Sequence, residues 1–341
     1  MTQGEEQQSE ARSTPRRGHH VGLDYHRTLM DDPIRMSAYD RAIRALVKPG
    51  DVVLDVGCGA GILSMLAARR GAARVHGVEV ASVAGLARQI AAHNGLSEQV
   101  IIHAEDIVTM APVEPVDLVL GEFMGRFVVD DGMLEAAAAA SRWLKPGGRV
   151  CPSRIRLMVT PVGEMQFWAV DRFKEPILGV DYRPALRYAL NNCYRAQLTP
   201  TALFGEPQVY HDWRLPGEAG RFERTLEFPI ERGGRLQALA GWFEATLTPE
   251  ITLSTEPGTE THWGQYLFPL PELRVEYGDR LAVTLWLDDA AESEDDAIWR
   301  WSGEVRRGGL TLGSFELESE QRLGEREAAH PSERRPGEEG T

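Results

Sequence analysis

Two stretches of the chain carry groups whose type and spacing suit chemistry. The first, GEFMGRFVVDDGM at 121–133, sets Glu122 at one end of an otherwise apolar loop and the pair Asp130 and Asp131 near the other. A buried carboxylate without a partner is costly, so these acids either face water or hold something positive. Two carboxylates facing each other across a cavity repel unless a cation lies between them. The second stretch, VVLDVGCGAGIL, sets Gly57, Gly59 and Gly61 shortly after Asp55. Glycines there let the backbone pass close to a ligand and present N–H groups at a helix N-terminus. The spacing is G-x-G-x-G, and Ile62 stands where a dinucleotide fingerprint needs glycine, so a nicotinamide dinucleotide fits badly.

Those groups need elements to carry them. VVLDV (52–56) reads as a buried strand followed by the glycine turn and the helical ILSMLAARRG. RVHGVEV (74–80) predicts a second strand, and VAGLARQIAAHNG (83–95) a helix stopped by Gly95. QVIIHAED and VDLVLGE predict two more strands. Glu79, Asp106 and Glu122 then stand at or just past strand ends, where open α/β sheets place ligands. MLEAAAAASRWL predicts a helix closed by a KPGG turn from Lys145 to Gly148. This alternation predicts an α/β, Rossmann-like parallel sheet with helices on both faces.

After Val150 the texture changes. RIRLMVTPV, RTLEFPIE, LQALAGWFEATL, YLFPL, LRVEY, RLAVTLWLD and IWRWSGEV are short alternating runs between Pro, Gly and Asp turns. They predict a second, antiparallel β domain, a barrel or sandwich. Residues 167–200 interrupt it with helix-like spacing, as a packed insertion or a projecting arm. The division expected is a disordered tail at 1–18, a helix and sheet domain at 19–150, a β domain at 151–317 and a disordered tail at 318–341.

G-x-G-x-G with Glu79 and Asp106 in this register resembles the S-adenosylmethionine pocket of class I methyltransferases, and the KPGG turn adds to the likeness. Glu79 suits both ribose hydroxyls and Asp106 the adenine amino group. The resemblance implies S-adenosyl-L-methionine as cofactor, held by Asp55, Gly57, Gly59, Gly61, Glu79 and Asp106, and no metal.

The acidic loop narrows the resemblance. GEFMGRFVVDDGM is similar to the double-glutamate loop of the protein arginine methyltransferases, S-E-W-M-G-x(6)-E-S-M, with Glu122 and Asp131 in the glutamate positions and Met124, Gly125 and Met133 also matching. Thr261, His262 and Trp263 resemble the family's Thr-His-Trp loop. In DDPIRMSAY, Arg35 matches the arginine that pairs with the donor's carboxylate, and Asp32 the acid that partners the loop histidine; His26 falls on a donor-side position. The likeness runs from about His26 to Gly309. It implies a Rossmann-like methyltransferase sheet followed by an antiparallel β-barrel, a dimerisation arm at about 167–200, and a homodimer. It also implies that Glu122 and Asp131 clamp a guanidinium, that His262, supported by Asp32, helps shed its proton, and that Met124, Met133 and Trp263 line the pocket. A guanidinium suits such a clamp because it offers donors on two edges and stays charged at neutral pH. The implied activity is methyl transfer to arginine in proteins. Free arginine or another small guanidino compound is the alternative acceptor, and a non-catalytic donor-binding scaffold a third reading.

The chain departs from the family pattern at several positions. Asp131 is one methylene shorter than glutamate, and a positional error of about 1 Å can cost roughly a hundredfold in rate. Phe123 replaces the loop tryptophan and Arg126 the next aromatic; a cation there suits an amino-acid carboxylate, which keeps a small acceptor open. The family's N-terminal tyrosine motif is missing, and GHHVGLDYH offers Tyr25 alone.

Acids outnumber bases 51 to 37, for a net charge of -14. That balance argues against nucleic acid and anionic membrane as partners and suits cationic ones. Cys58, Cys151 and Cys193 form no C-x-x-C pair, which points to a reducing compartment. The polar N-terminus lacks the apolar run of a signal peptide, so a cytoplasmic location is expected.

Overall fold

A computed structural model describes residues 22–122, 124, 125, 127, 133–217, 222–288 and 298–319. Two helices lead in, α1 (Leu23–Asp31) and α2 (Pro33–Leu46). Asp32 caps α2 by accepting the Arg35 N–H at 2.9 Å, and Pro33 occupies the first helical position, where its missing N–H is harmless.

The first sheet contains β1 (Val52–Val56), β2 (Arg74–Val78), β3 (Val100–His103), β4 (Val116–Gly121) and β5 (Leu144–Cys151) in the order β3-β2-β1-β4-β5, all parallel. Its crossovers carry α3 (Ile62–Arg69), α4 (Ala84–His93) and α5 (Met133–Ala140), the last extended by a 3₁₀ turn at Ser141–Trp143. β1 is central, and its bounds are those expected of VVLDV. The KPGG segment is not a turn before the last strand but part of β5, whose register against β4 shifts between Val116 and Leu118.

The second region is two antiparallel sheets. β6 (Arg154–Gly163), β7 (Tyr194–Ala196), β8 (Gln208–Arg214), β10 (Gly234–Thr248) and β12 (Gln265–Val275) run in the order β7-β12-β10-β6-β8, with β11 (Ile251–Ser254) paired to β10. The other sheet is β15 (Leu310–Glu318), β14 (Ile298–Arg307), β13 (Arg280–Asp288) and β9 (Phe222–Pro229). The Trp301 indole on β14 donates to Pro269 O on β12 at 2.7 Å and joins the sheets. YLFPL and LRVEY, expected as separate strands, form one strand, β12; a bulge in its pairing with β10 accommodates the prolines. In the arm, helical spacing yields two short pieces, α6 (Trp168–Asp171) and α7 (Leu186–Leu190), followed by β7. The expected tails lie outside the described residues, apart from Glu318, which ends β15, and Ser319, whose N–H bonds Trp299 O.

One apolar core passes between the two regions. It runs from Ile43 and Leu118 through Phe127 to Phe243, Phe268 and Trp299.

Candidate active site

Val56 on β1 is in register with Val78 on β2 and with Gly121 on β4, so the carboxyl ends of three strands lie side by side. The strand order reverses here, between β1 and β4, where such sheets open a crevice. The glycine turn, Glu79 and Glu122 therefore share one rim.

The glycine turn is left-handed, with φ of +63° at Gly57, +53° at Gly59 and +85° at Gly61. Gly57 has open space where a Cβ would stand, whereas a Cβ on Gly59 would come within 3.0 Å of the buried His26 ring. Glu79 receives the Gly59 N–H on Oε2 at 2.9 Å and the Ala81 N–H on Oε1 at 2.7 Å. These bonds fix the carboxylate beside the turn, and each oxygen keeps a lone pair for a hydroxyl. Asp55 accepts from Ser64 Oγ at 2.6 Å on Oδ2, while its buried Oδ1 has no hydrogen-bond partner among the described residues. Burial pushes the Asp55 carboxyl up to about 7, against the lowering pull of Ser64. Asp106 is exposed, and its Oδ1 is used locally by the Val108 N–H at 2.8 Å.

On the opposite side, Arg35 Nε donates to Glu122 Oε2 at 2.5 Å and Nη2 reaches the same oxygen. Both side chains are only 5% exposed, and burial of the guanidinium, which alone would lower its pKa, is outweighed by Glu122. The arginine expected on the donor's carboxylate thus rests on the first acid of the loop. Asp32 ties in the third segment: its Oδ2 accepts the His262 backbone N–H and pairs with His262 Nδ1, both at 2.9 Å. Burial works to raise the Asp32 carboxyl, but the N–H groups of Arg35 and His262 outweigh it and hold it below its ordinary value. Burial pulls the His262 imidazole below its ordinary value despite Asp32 and Glu122.

Met124 and Trp263 are both buried, and the Trp263 indole donates to Met124 O at 2.6 Å, so this pair braces the loop. Asp131 lies outside the described residues, and Met133 opens α5. The sequence reading overlooked Tyr39, whose hydroxyl donates to Gly121 O at 3.0 Å, and Phe127 and Ser64. Tyr39 had a signal, since it lies one helical turn beyond Arg35 and faces the same way. Phe127 had none, being one apolar residue in an apolar loop.

Residues 53–148 match the model of a methyltransferase domain, and 164–302 that of the arginine methyltransferase oligomerization subdomain. Protein arginine N-methyltransferase PRMT10 of rice (Oryza sativa subsp. japonica) is 30% identical over 312 residues, covering 80% of this chain and 82% of its own. The chain belongs to the protein arginine N-methyltransferase family. Protein arginine N-methyltransferase 6 of Xenopus laevis is 31% identical over 311 residues, covering 84% of this chain and 91% of its own. The crystal structure of Arabidopsis thaliana protein arginine methyltransferase 10 superposes with a TM-score of 0.78 at 25% identity, covering 88% of this chain and 99% of that one. As a family member the chain is an enzyme of the S-adenosylmethionine-dependent class. Its donor side fits that cofactor, with open space at Gly57 and a fixed acid, Glu79, at the end of β2.

Proposed function

We propose that this protein transfers methyl groups from S-adenosylmethionine to arginine guanidinium nitrogens of proteins. The observation that carries the reading is the buried Arg35–Glu122 pair beside Asp32–His262, four groups from three distant segments at one sheet rim. A guanidinium already sits on Glu122 Oε2, and no hydrogen bond from the described residues falls on Oε1, which leaves that oxygen to orient an incoming guanidinium. Asp131 is assigned the second edge. The donor side is assigned to Asp55, Gly57, Gly59, Gly61, Glu79 and, more distantly, Asp106, with His26 over the turn and Arg35 reaching toward the donor's carboxylate.

When bound, S-adenosylmethionine supplies a methyl group on a sulfonium, which leaves with no electron pair. The protein's own task is orientation: Glu122 holds the acceptor nitrogen in line, a contribution of several kcal/mol to the barrier, on the order of 7. Its negative charge also stabilises the positive centre formed. The methylated nitrogen then loses a proton. With Nδ1 committed to Asp32, the neutral His262 ring keeps Nε2 as the acceptor for it.

A homodimer through the arm is the assembly we propose. It is supported by the match to the oligomerization subdomain and by the exposed Trp168, Leu178, Val180 and Tyr182. Leu178→Glu with Trp168→Glu is then expected to shift sedimentation from dimer to monomer. Among the described residues no helix is long and apolar enough to cross a membrane, and Cys58, Cys151 and Cys193 form no disulfide. The cytoplasmic location we propose rests on the cysteine spacing and the polar N-terminus.

The test is transfer from isotope-labelled donor in a mixture of an Arg-Gly-rich peptide and free arginine, read by mass spectrometry. Label in peptide arginine, lost in Glu122→Gln, is the expected result. Label on free arginine alone replaces the protein acceptor with a small one. Donor binding with no label on either acceptor overturns the reading.

A further inference from the structure

The acidic loop is held at more points than its acids. Tyr39 holds Gly121 O, Arg35 holds Glu122, and Trp263 holds Met124 O. The fourth point is Phe127, five residues beyond Glu122 along the chain. Its backbone is left-handed, with φ +51°, a conformation that residues with a Cβ avoid unless their surroundings enforce it. Its ring is buried to 4% exposure among aromatic side chains from both sheets of the β domain. The ring centroid lies 5.2 Å from Trp299 on β14, 5.6 Å from Phe268 on β12, and near-parallel to Tyr210 and Tyr266.

What admits the ring is Gly241 on β10. A Cβ built there would lie 2.6, 2.8 and 3.0 Å from Phe127 Cε2, Cζ and Cδ2. Contacts under 3.0 Å force something to shift, and a ring enclosed on every side has little room to do so. Behind the contact, Phe127, Gly241, Phe243 and Trp263 line a cavity of only about 10 Å³, space for one water at most. The same cavity wall therefore includes the indole that holds Met124.

We propose that Phe127 and Gly241 form a lock that positions the acidic loop for the acceptor: the β domain sets, through this ring, where the Glu122 end of the loop lies. Phe127 and Gly241 are positioning residues and touch no reacting atom. The proposal rests on the arginine-methylating role assigned to the loop. It extends that role by making the acceptor site depend on the fit of one ring over one glycine, while the donor turn, on the other strands, does not.

The test compares the unaltered protein with Gly241→Ala, Phe127→Leu, and the two combined. Three quantities are read: kcat and KM for the arginine peptide at saturating donor, donor affinity by calorimetry, and the native-state rate of tryptic cleavage at the bond between Arg126 and Phe127. In Gly241→Ala the displaced ring is expected to lower kcat/KM for the peptide about a hundredfold, with donor affinity unchanged. Cleavage at that bond is expected to quicken about tenfold, because it follows the population of the opened loop. Adding Phe127→Leu removes ring atoms opposite the new methyl and is expected to recover most of both. A Gly241→Ala protein with a lower Tm but unchanged peptide kinetics and cleavage makes the ring ordinary packing and overturns the lock. If Gly241→Ala does not fold, Phe127→Leu decides alone: unchanged peptide KM and cleavage overturn the lock, and a raised KM with faster cleavage supports it. If the unaltered protein labels no arginine, the functional reading fails, while the cleavage arm still decides the lock.

Discussion

The proposed donor and acceptor sides of this site are built over very different stretches of chain. Glu79 reaches the glycine turn across 20 residues, within one β-α-β unit whose strands are adjacent and in register. Glu122 meets Arg35 across 87 residues, and Asp32 meets His262 across 230, joining the entry helices, the sheet and the β domain. A site closed over short loops forms with its unit, whereas one closed over long loops exists only when the whole chain has packed. The acceptor side should therefore report on the integrity of the entire molecule, and the glycine turn with Glu79 chiefly on its sheet.

The sharpest way to break this contrast is Glu122→Gln. Loss of the carboxylate removes the proposed clamp on the acceptor and leaves the Arg35 guanidinium buried beside a neutral amide. Removing one positioned charge of this kind lowers kcat by about 10²- to 10³-fold. Leaving a buried ion without its partner costs about 3–5 kcal/mol of stability. Both readings should move together, in peptide methylation and in urea unfolding. A variant that loses stability but keeps its turnover would show that Glu122 is a structural ion-pair member and not part of the clamp.

A smaller effect, confined to the donor side, is expected from Gly59→Ala. At φ +53° a Cβ is strained by roughly 1–3 kcal/mol. It would also press on His26 at 3.0 Å, although that ring can yield slightly. Donor affinity should fall about tenfold or somewhat more, while the peptide KM at saturating donor stays put, as calorimetry and initial rates would record. An equal rise in peptide KM would show that the two sides are not separable.

The same contrast governs what could be read before the structure was known. β1, the glycine turn, Glu79 and the rim position of Glu122 were legible, because strand period, glycine spacing and strand ends are local signals. The membership of Asp32, Arg35 and His262 in one cluster came through resemblance, not spacing; no period in a sequence links residues 230 positions apart. The ion pair of Arg35 with Glu122 had no signal in the sequence and had to be seen. β8, β11 and β15 escaped notice for a different reason. In β15 Phe315 is the single buried hydrophobic residue, so the alternation that marks a half-buried strand is too faint to read. LTLGSFELE ends at the residue where a disordered tail was expected to begin.

The smallest expected effect concerns protons on the pair that spans the greatest separation. Both members are held below their ordinary values, His262 from 6.5 and Asp32 from 3.8. A folded value lowered in this way means that the unfolded chain binds protons first as pH falls. The stability contributed by His262 is thus complete above about 6.5 and is lost below it as the pH passes through the folded value. That of Asp32 is lost lower still, below about 3.8. Peptide kcat/KM should accordingly rise along an acid limb centred below 6.5, as the ring becomes neutral and able to accept a proton. Asp32 raises the His262 value through its hydrogen bond and charge, so Asp32→Asn should slide that limb to lower pH. Asparagine still caps α2 well, so the helix should survive the exchange. At a fixed acidic pH the Asp32→Asn protein should then hold more of its His262 neutral and be the faster of the two. A limb that stays in place in Asp32→Asn, or moves upward, would remove His262 from the proton path and leave the pair as a brace between the entry helix and the β domain.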